Sequence, residues 1–174
     1  QILCEIQAST RALLTAERAA LNFLQLLSAT ATVTRLYVDA IAGTGTRIVP
    51  VHESRILVQR GPDGWLAAFA TAMDLGRLPA LAAEPVLLGC FDDCIYFAAE
   101  VASPEPVQAL FTTGTVRFED LRMAGGLLPE QQAGVLAYAR AMLYWRSRHR
   151  YCGACGAPTR VASAGHVMKC TNDA

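Results

Sequence analysis

One short stretch, Tyr151-Cys152-Gly153-Ala154-Cys155-Gly156 with Cys170 further on, constrains this 174-residue chain more than anything else in it. Two thiols three positions apart, each followed at once by a glycine, are the signature of a zinc knuckle. The glycines let the backbone curl tightly, so that its N–H groups point at the sulfurs. Tetrahedral Zn²⁺ needs four ligands, usually two short-spaced pairs joined by a hairpin. The first pair is complete, and Cys170 supplies one member of the second. Metal ligation is therefore expected at Cys152, Cys155 and Cys170, with a fourth cysteine expected just beyond Ala174. A Cys₃His site closed by His166 or His149 is the alternative; His166 lies four residues before Cys170.

The same thiols admit two other readings. A redox Cys-x-x-Cys wants a strand before it and a helix N-terminus after it, to depress the thiol pKa. Here helix-forming sequence precedes the motif, and Gly156, Pro158 and Thr159 follow as a turn, so redox chemistry is disfavoured. Two buried, inert cysteines would need no partner at all. Paired thiols in an intracellular chain more often mean metal or redox work.

The rest of the composition narrows the class. Over half of the residues are apolar, which is enough for a sizeable core without disulfide help. Fifteen basic side chains balance fifteen acidic ones, an argument against a broad nucleic-acid or membrane-surface role. Six cysteines scattered over this length do not make a secreted framework, and a reducing, cytoplasmic setting is expected. Residue 1 is Gln, so the native start is expected upstream. The Leu- and Ala-rich run over 10–28 is broken by Arg11, Glu17, Arg18, Asn22 and Gln25, too often for a membrane span. It reads as an amphipathic helix with Leu14, Leu21, Phe23 and Leu24 inward and Ser9 or Thr10 as cap.

From Thr32 the period shortens to two, and strands are expected at Thr32–Ile41, Arg47–Val51 and Arg55–Gln59. Gly43-Thr-Gly45 lacks the third glycine and following helix of a phosphate cradle, and reads as a turn. Gly61-Pro-Asp-Gly64 is strong turn chemistry before a strand at Trp65–Phe69. Residues 71–85 show no period and read as loop. Val86–Cys90 and Ile95–Ala99 form a hairpin around Asp92-Asp93, whose carboxylates read as solvated turn formers. Cys90 and Cys94 flank that turn as half-buried small side chains. Ser103-Pro-Glu-Pro106 reads as a linker-like break.

Past Gly125-Gly126 comes the best-defined helix. Pro129 and Glu130 suit its first turn, and Val135, Leu136, Ala139, Met142 and Leu143 make its apolar stripe. It should run to about Arg148. Arg146, Arg148 and Arg150 cluster at its far end, where cations are each worth roughly 0.3–1 kcal/mol against the helix dipole. Structure alone therefore explains the cluster, and a nucleic-acid patch is the second reading.

These pieces resemble a known family. The run Leu136-x-x-Ala139-Arg140-Ala141-x-x-x-Trp145-x-x-x-His149-x-x-Cys152-x-x-Cys155-Gly156-Ala157-Pro158-Thr159 is similar to the segment joining the N-terminal domain to the zinc ribbon in the NADH pyrophosphatases of the Nudix superfamily. Val86-Leu-Leu-Gly-Cys90 with Ile95-Tyr-Phe-Ala98 resembles that family's hairpin, and Asp120-Leu-Arg122 with Leu127-Leu128 its approach to the linker helix. The resemblance implies an N-terminal domain, a zinc ribbon and a catalytic Nudix domain. Together these hydrolyse the pyrophosphate of NADH or NAD⁺ to nicotinamide mononucleotide and AMP, and in some members remove an NAD cap from RNA. It also implies Mg²⁺ or Mn²⁺ on a glutamate-rich motif ending in Arg-Glu-x-x-Glu-Glu, and a homodimer. No Arg-Glu pair occurs in these 174 residues. No catalytic or cofactor-binding residue maps onto the chain, and only Cys152, Cys155 and Cys170 carry over. Leu128 stands where the family often has a capping Ser, and Asp173 where the tightest second knuckle would have Cys.

The expectation is an α+β fold: a mixed β-sheet with flanking helices, a linker helix and a partial zinc ribbon. The divisions are 1–126 for the N-terminal domain, 127–150 for the linker helix and 151–174 for the ribbon. The metal is structural, on the order of 10–16 kcal/mol in small zinc peptides and enough to order a ribbon with almost no core. This segment alone should be catalytically inactive. The alternative is a ribbon module that grips nucleic acid or serves as an adaptor, with no enzyme attached.

Overall fold

A computed structural model describes residues 45–71, 74, 83–91, 93–111 and 115–172. The helix expected over 10–28, the strand at Thr32–Ile41 and most of the 71–85 loop lie outside the described residues.

The body is a mixed sheet. Strands β1 (Thr46–His52), β2 (Arg55–Arg60), β3 (Trp65–Ala67), β4 (Ala70–Thr71), β5 (Val86–Phe91) and β6 (Cys94–Glu100) are joined by β7 (Val116–Glu119). The order is β3-β2-β1-β6-β5, with β4 beside β1 and β7 beside β2. β1 and β6 run parallel, while the other pairs are antiparallel. The α+β expectation holds.

β1 and β2 form a tight hairpin at Glu53-Ser54, both at positive φ. Two such residues match the twist that paired strands require. The hairpin then splays open. β3 takes up pairing with the end of β2 away from the turn, and β4 with the end of β1 away from it. This change of partner is why the single strand expected at Trp65–Phe69 is two short ones. The β5–β6 hairpin forms as expected, with a register shift between Leu87 and Gly89. Cys94 is a free thiol, so the cysteines flanking that turn are not bridged to each other, but Cys90 is disulfide-bonded, against the expectation of two unbridged small side chains. Exposed Asp93 sits at φ 57 in the turn, and Asp92 lies outside the described residues.

The linker-like Ser103-Pro-Glu-Pro106 is in fact the start of a helix, α1 (Pro104–Gln108). Prolines break helices by lacking an N–H, but first-turn N–H groups have no intrahelical partner anyway. Val107, fully buried beside Leu57, Ala68 and Val101, anchors this turn to one sheet face. A short helix α2 (Leu121–Ala124) is capped by Asp120, whose side chain accepts from the Arg122 N–H at 2.8 Å.

The opposite face of the sheet packs against α3 (Glu130–Arg148). Leu136, Ala139 and Leu143 are buried with Val49, Val51, Ile56, Val58, Val86 and Ala98, and Val135 and Met142 pack at the margin. The expected apolar stripe is the observed one. Polar side chains on the same helix stitch it to the sheet. Gln132 accepts from the Ala67 N–H (2.7 Å), and Arg140 donates to the Ser54 carbonyl (2.9 Å). At the far end Arg146, only 7% exposed, donates to the Glu84 carbonyl at 2.6 Å. Arg146 is thus an inward-facing anchor, not a member of a surface cluster; Arg148 and Arg150 remain exposed.

Candidate metal centre

α3 delivers the chain directly into the knuckle. His149 closes the helix, its ring tilted over Trp145 (5.0 Å between centroids) and its carbonyl accepting from the Thr159 hydroxyl. The next residues pair back on themselves. Tyr151 bridges Pro158, the Cys152 N–H donates to the Ala157 carbonyl at 2.7 Å, and the Gly156 N–H donates to the Cys152 carbonyl at 2.8 Å. Gly156 takes φ 72, the left-handed turn where a side chain would be strained. Gly153 does not share that need, since its φ is not positive and a Cβ there would meet nothing.

A hairpin of β8 (Thr159–Ala162) and β9 (Val167–Cys170) brings Cys170 back to the knuckle. The sulfurs of Cys152, Cys155 and Cys170 all lie within 4.8 Å of one another, and those of Cys155 and Cys170 are 3.5 Å apart. Tetrahedral Zn–S bonds of about 2.3 Å put sulfurs roughly 3.8 Å apart, so the spacing fits a shared zinc ion. All three thiols are free.

Backbone dipoles favour thiolate here. The N–H groups of Ala154 and then Cys155 point at Cys152, and with the neighbouring thiols of Cys155 and Cys170 they lower its pKa from 9.0 to about 7. At Cys170 the Asn172 N–H (3.3 Å from the sulfur) pulls downward. The Cys155 thiol, burial and the Cys152 thiol together outweigh it and raise the pKa. One thiolate forms readily and discourages the next, an imbalance that a divalent cation would relieve.

Neither candidate histidine joins the cluster. His149 Nδ1 contacts the Trp145 carbonyl at 2.7 Å. His166 Nε2 contacts the Leu87 carbonyl at 2.5 Å, at the opposite end of the hairpin. The segment after Cys155 is turn and strand, as expected, and offers no helix N-terminus to the thiols.

The hairpin tip is docked on the body. Gly165, buried and at φ 98, lies so close to β5 that a Cβ there would sit 2.9–3.0 Å from Val86. Nothing in the sequence spacing signalled this contact, because Gly165 and His166 meet partners nearly eighty residues away.

Residues 45–145, more than half of the chain, match the NADH pyrophosphatase-like rudimentary NUDIX domain. Residues 147–174 match the NADH pyrophosphatase zinc ribbon domain. The chain belongs to the NADH pyrophosphatase-like Nudix family. The two matches meet at the C-terminal end of α3, where the body hands over to the knuckle. The chain is also similar to the NAD-capped RNA hydrolase NUDT12 of Homo sapiens, Macaca fascicularis and Pongo abelii. Each is 39% identical over 46 residues, which is 26% of this chain and 10% of the relative. The matched stretch thus spans about a tenth of those relatives' length.

Proposed function

We propose that this chain is the N-terminal body and zinc ribbon of an NAD(H) diphosphatase, and that Cys152, Cys155 and Cys170 hold a structural Zn²⁺. The observation that carries the proposal is the three-sulfur cluster at the end of α3, in a chain whose body and ribbon both match the same family. The reading divides the chain into a body (1–126), a linker helix (127–150) and the ribbon (151–174). A fourth ligand, expected to be cysteine, and the glutamate-rich Nudix motif are assigned to sequence beyond these 174 residues.

The overall reaction adds water across the pyrophosphate of NADH or NAD⁺. One P–O bond of the bridge breaks, and nicotinamide mononucleotide and AMP each leave with a phosphate. Mg²⁺ or Mn²⁺ in the catalytic domain would neutralise the bridging charge. The chain's own residues do something else. The thiolates and the N–H groups of Ala154, Cys155 and Asn172 fix the knuckle, α3 ties it to the sheet, and the docked Gly165 tip sets its orientation. A ribbon held at both ends is a rigid mount for a following domain. The reading includes a cytoplasmic homodimer, with NAD-capped RNA as a further substrate.

The test uses the full-length gene product. It should convert NADH to the reduced mononucleotide and AMP with Mg²⁺, and residues 1–174 alone should not. A segment extended by about ten residues should contain one zinc per chain, lost on Cys152→Ser. Hydrolysis by the 174-residue segment, or a zinc-free extended segment, would refute the assignment.

A further inference from the structure

The two faces of the sheet differ in what covers them. Side chains alternate along β6, so Ala98 is buried on the α3 side while Phe97 and Ala99 are buried on the other. On that other side Ile48, Ala70, Phe97 and Ala99 form a cluster, with Leu87 and Ile95 packed against it. Ile48, Phe97 and Ala99 are fully buried, but every described residue of the cluster belongs to a strand. A sheet does not bury its own face; a second layer does. Among the described residues α1 is not that layer, since Val107 belongs to the separate cluster of Leu57, Ala68 and Val101.

A disulfide indicates where the layer comes from. The six cysteines are residues 4, 90, 94, 152, 155 and 170. Cys94, Cys152, Cys155 and Cys170 are free and Cys90 is disulfide-bonded, which within one chain leaves Cys4 as its partner. Cys90 is in register with Ile95, so it projects from the face that carries Ile95 and Phe97. Thr46, the first residue of β1, is in register with the same Ile95 from the other side. Thr46, Ile95 and Cys90 therefore make one row across an end of the sheet, about 10 Å from first to last at the usual strand spacing. The chain ahead of β1 is tied to that row twice. A disulfide to Cys90 requires the Cα of its partner within about 7 Å, and the Gly45 carbonyl accepts from the Ile95 N–H at 3.1 Å.

Residues 1–44 lie outside the described residues, and their sequence has the form such a tether needs. In the run expected as a helix over 10–28, Arg11, Thr15, Arg18, Asn22 and Gln25 recur at helical spacing on one side. Leu13, Ala16, Ala20, Leu24 and Leu27 recur on the opposite side with Phe23, and Leu14 and Leu21 stand at the margin. A helix of that length reaches roughly 28 Å, and the strand expected at Thr32–Ile41 returns roughly 33 Å. An outward arm and a return arm of similar length suit a segment that leaves and re-enters the same end of the sheet.

We propose that residues 1–44 form the second layer on this face, with the apolar stripe of 10–28 lying on Ile48, Phe97 and Ala99 and a Cys4–Cys90 disulfide as its pin. The pin is on β5, the strand that also receives the ribbon tip at Val86 and Leu87. Both ends of the chain thus bear on one strand, and the mount of the ribbon depends on the N-terminal segment.

The experiment uses full-length protein with one added reporter thiol at a time, and reads its alkylation by iodoacetamide with mass spectrometry. Ala98→Cys reports on the α3 side and Ala99→Cys on the proposed N-terminal side. Both should react at least about tenfold more slowly than in the unfolded chain. Leu24→Asp puts a charge into the apolar stripe; it should speed alkylation of Ala99→Cys at least about tenfold and leave Ala98→Cys protected. Asn22→Asp puts the same group on the polar stripe and should change neither. Should Leu24→Asp unfold the protein and expose both reporters, Leu24→Ala takes its place under the same criterion. In zinc-loaded wild-type protein equilibrated with oxidised glutathione, non-reducing digestion should recover the Cys4 peptide joined to the Cys90 peptide. Each such bond formed reduces one glutathione disulfide to two thiols. Ala99→Cys still protected when the stripe is broken would assign the cover to another segment and overturn the proposal. Cys90 recovered as a free thiol, or joined to a second chain, would overturn it as well.

Discussion

The Nε2–H of His166 donates to the carbonyl oxygen of Leu87 across 2.5 Å, tying the tip of the ribbon hairpin to strand β5 at its register shift. The adjoining Gly165 is pressed against Val86. The ribbon therefore has two attachments, covalent continuity with α3 at the knuckle end and this contact at the other.

Gly165→Ala should undo the second attachment. Its φ of 98 is costly for any side chain, and the new Cβ would lie within 3.0 Å of the Val86 backbone as well as its side chain. A cost of about 1–3 kcal/mol follows from the backbone conformation alone. Thermal unfolding would measure it. Hydrogen exchange should show the loss concentrated at 163–167 and on β5, with α3 little changed.

The two arginines near the end of α3 should behave oppositely. Arg146 is buried and donates to the Glu84 carbonyl, so Arg146→Ala removes a part-buried hydrogen bond from a charged donor and opens space where the side chain packed. About 2–3 kcal/mol of destabilisation in a denaturant titration is expected. Arg148, two residues on and exposed, should cost at most about 0.5 kcal/mol as Arg148→Ala. Equal effects would mean that the Arg146 contact with the Glu84 carbonyl adds nothing beyond a cation at the helix end.

That contrast marks where the sequence was legible. The stripe on α3, the turn at Gly61–Gly64 and the β5–β6 hairpin each follow from short-range periodicity, and all appear where expected. So does the convergence of the three thiols, because knuckle spacing constrains geometry locally. What stayed hidden depends on distant partners. Arg146 reads as a helix-end cation until Glu84 is seen above it. β7, with Val116 and Phe118 alternating against the Arg117–Glu119 ion pair, is too short for its period to stand out. α1 was masked by prolines whose missing N–H groups fall where none is needed. His166 is held away from the thiols by the Leu87 carbonyl, 79 residues back, which no local spacing signals, whereas the Trp145 carbonyl that His149 contacts is only four residues away.

With metal removed, Cys152 should be the most reactive thiol of the cluster. The N–H groups of Ala154 and Cys155 and the neighbouring sulfurs bring its pKa to about 7, whereas Cys170 is raised. Alkylation by iodoacetamide, followed by mass spectrometry, should show Cys152 half-maximal near pH 7 and Cys170 reacting only at more alkaline pH. The linkage to stability follows in sign. The folded thiol is more acidic than the unfolded one, so its contribution is fully present above the unfolded value of about 8.5 and is lost as pH falls through about 7. Metal-free ribbon should therefore open on mild acidification, and a ribbon that tightened instead would contradict the thiolate assignment.

Chelation of the proposed zinc should separate the ribbon from the body. Within 150–172 Gly165 is the buried residue of the segment, and the knuckle residues 153–156 are exposed, so little apolar packing would hold this region once no metal joins the three sulfurs. The body has its own core in Val49, Ile56, Val86, Phe97 and Leu136, all fully buried and far from the sulfurs in sequence. Treatment with a zinc chelator should abolish hydrogen-exchange protection over 150–172 while β1, β6 and the middle of α3 keep theirs. Re-addition of one equivalent of Zn²⁺ should restore it. Because α3 runs unbroken from the body core to His149, its last turn should loosen with the ribbon, placing the boundary between the two near Arg146. Simultaneous loss of protection in both parts would mean instead that the His166–Leu87 contact makes ribbon and sheet one cooperative unit.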